Sequence, residues 1–188
     1  MIYKTHVTFA MALSFSPVLL PNNFNILQNI TIEQLPFILL TIFLFSLFPD
    51  LDEPNSYLSK RMPWIIFSLI ISKFTVHRGV THRLIATITA PILMYGLLYS
   101  INKLDSYMIL IYFSWIAYTA HLIGDGFTKG GLRRFYYPLS KSTIWFLPKP
   151  MRFKTGSFVE SIWLMIFSGI VILESFYLFK MFEVSLNF

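Results

Sequence analysis

The chain holds four histidines, His6, His77, His82 and His121, and each stands at the edge of an apolar run. Carboxylates stand at similar edges: Asp50 and Asp52 in Pro49-Asp50-Leu51-Asp52, and Asp125 four residues after His121. Imidazole and carboxylate together form a donor set suited to Zn²⁺, with Mn²⁺ or Fe²⁺ as alternatives. Cysteine is absent, which excludes thiolate metal sites and disulfides. At i and i+4 of a helix, His121 and Asp125 share one face and could grip one ion. Asp50 and Asp52 lie in a turn begun by Pro49, where either carboxylate could bridge two ions. His77 and His82 flank Gly79, so one could be a ligand and the other a second ligand or an acid–base group. Each piece also has a plainer reading: His6 suits a headgroup-level cap, and Asp50-Leu51-Asp52-Glu53 a solvated helix stop. What favours a metal centre is that four helix ends deliver such groups to one depth, where ionisable side chains are costly to hold.

The elements that would carry these residues are hydrophobic helices. Of 188 residues 55% are apolar and only 13% charged, with a mean hydropathy of +0.63; soluble domains carry roughly a quarter charged residues. Apolar runs extend from about Thr5 to Leu20, Leu35 to Phe48, Leu84 to Ile101, Tyr107 to Ile123, and Val159 to Phe182. Backbone groups cannot stay unpaired in lipid, and no alternating polarity suggests a barrel, so helices are expected. No small-residue cleavage site follows the first run, only Pro21-Asn22-Asn23, which favours a retained helix over a signal peptide. The fold class expected is an all-α integral membrane bundle, one domain over residues 1–188.

Charge sets the expected topology. Lys129, Arg133, Arg134, Lys141, Lys149, Arg152 and Lys154 share one turn-rich loop that contains no acid, which the positive-inside rule makes cytoplasmic. Lys4, Lys60 and Arg61 fall on the same side only if the short segment Pro63 to Val76, interrupted by Lys73, does not cross. That segment is then interfacial or re-entrant. The result is about five transmembrane helices with a cytoplasmic N-terminus, and all fifteen Lys and Arg except Lys103 and Lys180 on the cytoplasmic side. The formal charge of +6 thus reflects topology, and no specific nucleic acid is expected as a partner. Glu174, deep in the last run, has no assigned use.

In order along the chain, Thr5-His6, Pro49-Asp50-Leu51-Asp52, His77-Arg78-Gly79-Val80-Thr81-His82 and His121-Leu122-Ile123-Gly124-Asp125-Gly126-Phe127-Thr128-Lys129-Gly130-Gly131 resemble the YdjM-like family. These are bacterial inner-membrane proteins, LexA-regulated in the named example, regarded as metal-dependent hydrolases. The resemblance covers roughly residues 3 to 138. The family is distantly similar to zinc-dependent phospholipases C and single-strand nucleases, whose motif order implies metal ligands at His6, Asp50 or Asp52, His77 or His82, His121 and Asp125. Those enzymes carry a further histidine and a second His-x-x-x-acid pair. Here no histidine follows His121, which implies one or two ions.

Such ions would activate water and polarise a phosphoryl oxygen. Arg78 and Arg83, with Lys129 or Arg133, would hold the anion. Asp52 or the non-ligating member of His77 and His82 would serve as base or leaving-group acid. A centre at headgroup depth favours a lipid phosphoester as substrate. A metal-ion transporter and a membrane scaffold are the competing classes; a metalloprotease is disfavoured because His-Glu-x-x-His is absent.

Overall fold

The computed structural model describes residues 1–19, 27, 30–74 and 79–186. Helices dominate: α1 (Tyr3–Phe15), α2 (Leu35–Phe45), α3 (Trp64–Phe74), α4 (Thr89–Ser100), α5 (Leu104–Tyr107), α6 (Ile109–Phe127) and α7 (Phe158–Leu186). α6 is the central post. α1, α2 and α4 all pack on it, and α7 packs on α1. Small residues permit the close approach: Ala10 of α1 and Ala117 and Ala120 of α6 are fully buried. Phe9, Phe113, Ile38 and Ile42 fill the spaces between.

Several apolar runs break where side-chain chemistry demands it. The run from Leu84 begins as a 3-10 segment, Leu84–Ile88, and becomes α4 only at Thr89. Pro91 explains the break, because it has no N–H to donate to Thr87 and its ring would crowd that carbonyl. The Thr87 and Thr89 hydroxyls donate instead to Leu84 O and Ala86 O at 2.8 and 2.6 Å. α2 likewise ends before Pro49, and a 3-10 turn, Phe48–Asp52, follows. α3 forms within the segment expected to lie at the interface, while the end of that segment and Leu20 fall outside the described residues.

Among the described residues one helix, α7, is both long and apolar enough to cross a membrane, with a mean hydropathy of 2.0 over an 18-residue window within Phe158–Glu183. Ile32–Phe45, Trp64–Lys73 and Leu84–Ser100 are apolar but shorter. Their outward faces are nevertheless apolar: Leu40, Ile66, Ile92 and Leu97 are exposed, and Ile172 of α7 is 71% exposed. Water-soluble proteins rarely present contiguous apolar surface of this kind.

The basic loop between α6 and α7 is ordered by a short antiparallel hairpin, β1 (Leu132–Arg133) with β2 (Thr143–Ile144). Gly131 enters it with φ of +62°, and a Cβ there would meet Trp145 Nε1 at 2.5 Å and Ile144 O at 2.8 Å, so only glycine fits.

Candidate metal centre

α6 continues past Ile123 to Phe127, which keeps His121 and Asp125 one helical turn apart on the same buried face. α1 crosses this face and lays His6 flat on His121, ring centroids 3.8 Å apart and planes 6° apart. His6 is 1% exposed, so it is a core residue and not a headgroup-level cap. Its Nε2 lies 3.4 Å from Asp125 Oδ1. One ligand atom from each of His6, His121 and Asp125 falls within 4.8 Å of the others.

A second triad of the same spread, Asp50, His82 and His121, shares His121 with the first. Asp50 Oδ1 stands 3.6 Å from His82 Nε2 and 3.5 Å from His121 Nε2. The backbone orients both imidazoles. His121 Nδ1 lies 2.7 Å from Ser46 O, a carbonyl that can only accept, so Nδ1 carries the proton and Nε2 presents its lone pair. Thr81 Oγ1 donates to Asp52 Oδ2 at 2.7 Å and, 3.0 Å from His82 Nδ1, is left to accept the ring proton. Tyr118 fixes this turn by donating to Thr81 O at 2.7 Å. Partners of this kind, behind the coordinating nitrogen, set the orientation of metal-binding histidines.

Asp50 and Asp52 therefore have different places. Asp50 faces the histidines, whereas Asp52 is in neither triad and sits behind His82. The 3-10 turn is the cause: at three residues per turn, side chains two apart splay by about 120°. The ability to bridge two positions belongs instead to Asp125, whose Oδ1 faces His6 and whose Oδ2 stands 3.6 Å from His82 Nε2.

Electrostatics suit a cation. Burial opposes ionisation of Asp50, but His121 and His82 outweigh it and hold the carboxyl well below its usual range. For Asp125, burial is outweighed by the Met1 amino group, 2.8 Å away, and by His6. Two carboxylates thus face three imidazoles, and of these five groups only Asp50 is reached by solvent to any extent. Both ring nitrogens of His6, and Nε2 of His121, are buried without a hydrogen bond, which is costly unless something else satisfies them. A metal fits that need. Bonds of about 2.0–2.2 Å allow two ligands of one ion to be at most about 4.4 Å apart, so the 4.8 Å spread closes with shifts of a few tenths of an ångström. One imidazole nitrogen serves one ion, so His121 belongs to one position at a time.

A cleft of about 210 Å³, bordered by Asp50, Glu53, Asn55, Asp125 and Thr155, opens onto the centre. Arg83 follows His82 directly; its guanidinium carbon lies 4.3 Å above the Tyr137 ring, and its buried Nε has no hydrogen-bond partner. Lys129 and Arg133 are exposed on the loop. His77 and Arg78 lie outside the described residues. Sequence reasoning missed Ser46, Thr81 and Glu160. The buried Glu160 carboxylate accepts Ile2 N–H and Gly156 N–H, each at 2.6 Å, tying the start of α7 to the start of α1 and so helping to place His6. Its signal was present as the first acid after the basic loop.

A mainly α-helical membrane protein with a buried His/Asp centre able to hold a metal ion is the class that this fold and site define. The chain belongs to the YdjM inner membrane protein family, whose model matches residues 1–184. No curated protein and no solved structure matches it.

Proposed function

We propose that the protein is a metal-dependent hydrolase that cleaves a phosphoester of a membrane lipid at the cytoplasmic surface of the bacterial inner membrane. The observation that carries this reading is the pair of buried His/Asp triads joined at His121 and opening through a cleft. His6, Asp50, His82, His121 and Asp125 would hold one or two ions, Zn²⁺ by donor type or else Mn²⁺ or Fe²⁺. When bound, such ions supply Lewis acidity and a nucleophilic water. The chain's own residues do the rest. Asp52, through Thr81, fixes the tautomer of His82. Arg83, held by Tyr137, presents a fork to the phosphoryl oxygens. The packing of α1 on α6 keeps bulk water from His6 and His121, which strengthens every charge interaction there.

The proposed setting is a five-span bundle with Pro63 to Val76 at the interface and the N-terminus in the cytoplasm. It rests on the one-sided distribution of Lys and Arg and on the exposed apolar faces of α2, α4 and α7. Single cysteines at Asn55 and Ser142 should be labelled by an impermeant maleimide from one side of the membrane, and a cysteine at Asn102 from the other. Labelling of Asn55 and Ser142 from opposite sides would make the α3 segment a crossing and overturn the topology.

Purified protein supplied with Zn²⁺ or Mn²⁺ is expected to hydrolyse at least one of a panel of phospholipids, polyprenyl phosphates and an aryl phosphodiester. No turnover by metal-loaded protein would sink the hydrolase reading. One observation favours a second reading, metal-ion transport: Glu174 lies within α7, 1% exposed, with both carboxylate oxygens lacking a hydrogen bond. Metal uptake into sealed vesicles, without turnover on the panel, would support it.

A further inference from the structure

Away from the His/Asp centre lies an apolar groove of about 770 Å³. It exists because α2 and α4 both pack on α6 and not, to any comparable extent, on each other. Leu40 and Leu44 of α2 and Leu93 and Leu97 of α4 form its walls. α2 runs toward Asp50 and α4 away from His82, so the end closed by Trp64 adjoins the metal centre and the end marked by Lys103 is remote from it. α2 alone, eleven residues long, gives the groove about 17 Å of wall.

Two independent features identify an occupant. The walls are aliphatic and aromatic, and in an inner-membrane protein such a groove is filled by hydrocarbon. Lys103 is the one charged residue among the described residues that line it; its side chain is exposed and has no ion pair among them. An ammonium at the mouth of a hydrocarbon slot complements an anionic headgroup. We propose that the groove is a phospholipid site, with the phosphate on Lys103 at the end of the bundle remote from the His/Asp centre and one acyl chain lying between α2 and α4. The site does not depend on the hydrolase reading, since neither Lys103 nor the groove walls belong to the metal centre.

The test uses full-length protein in lipid nanodiscs doped with phosphatidylglycerol that carries a diazirine at the middle of one acyl chain. After irradiation, adducts on Leu40, Leu44, Leu93 and Leu97 should exceed those on the exposed α7 residues Met165 and Ile172 several-fold. Lys103→Gln should remove most of that excess and leave α7 labelling unchanged. Leu97→Trp should do the same by filling the groove; Leu97 is largely exposed, so its replacement does not disturb the buried core. Diacylglycerol with the same diazirine, which lacks the phosphate, should show no excess. Equal labelling of the two faces in wild type, an excess indifferent to Lys103→Gln, or diacylglycerol labelling as strong as that by phosphatidylglycerol would each overturn the proposal. So would a groove protected from every probe in a dimer seen by native mass spectrometry, which would identify a second chain as the occupant.

Discussion

Replacing His121 with alanine is expected to strip the protein of metal. His121 is the member common to both triads, and its Nε2 is buried, aimed at Asp50 and without a hydrogen bond. Removing a residue that only supports a ligand costs about 10–100-fold in metal affinity, so loss of the shared ligand should exceed about 100-fold. Metal analysis of purified protein should fall from one or two ions per chain to background, and turnover should vanish with it. His121→Gln preserves most of the side-chain volume at this fully buried position and guards against a trivial packing defect, while circular dichroism checks that the helices persist. Asp50→Asn and Asp125→Asn should show the same loss with smaller disturbance of the core. If His121→Ala retained its full metal content, the centre as assigned would be wrong. If it lost metal and kept turnover, the chemistry would lie elsewhere in the chain.

The second large effect separates an enzyme from a binder. Arg83→Gln should leave metal content unchanged, because Arg83 is in neither triad, but lower turnover by about 10²–10³, the usual cost of one lost contact to a developing oxyanion. The reason is placement. Arg83 follows His82, stacks on Tyr137 at 4.3 Å, and keeps a buried Nε with no hydrogen-bond partner. Arg83→Lys should recover only part of the rate, since an ammonium supplies charge without the planar fork. Tyr137→Ala should weaken the same step less, by loosening the guanidinium and not removing it. Unchanged turnover in Arg83→Gln would exclude Arg83 from the site, and loss of metal would show that it supports the ligands.

The chemistry-bearing residues were visible in the chain because ionisable groups stand out in an apolar sequence and because helix periodicity is local. The spacing of His121 and Asp125 requires a shared face, and α6 provides it. The same reasoning indicated membrane helices, though it overstated their continuity. Pro91 turns the start of one run into a 3-10 segment, and neighbouring threonines complete the break through their own hydrogen bonds. The choice between Asp50 and Asp52 was not legible, because it turns on the pitch of a five-residue turn.

Composition and spacing by themselves determined an apolar helical chain, a basic loop free of acids, and which residue types could meet at one centre. Only the tertiary structure decided that His6 stacks on His121, that Asp50 faces the histidines while Asp52 holds His82 through Thr81, and that Glu160 ties α7 to α1. The physical reason is the range of each effect. Periodicity fixes neighbours within a turn of helix, whereas His6 and His121 meet because small residues let α1 and α6 approach closely, and that geometry depends on both helices at once.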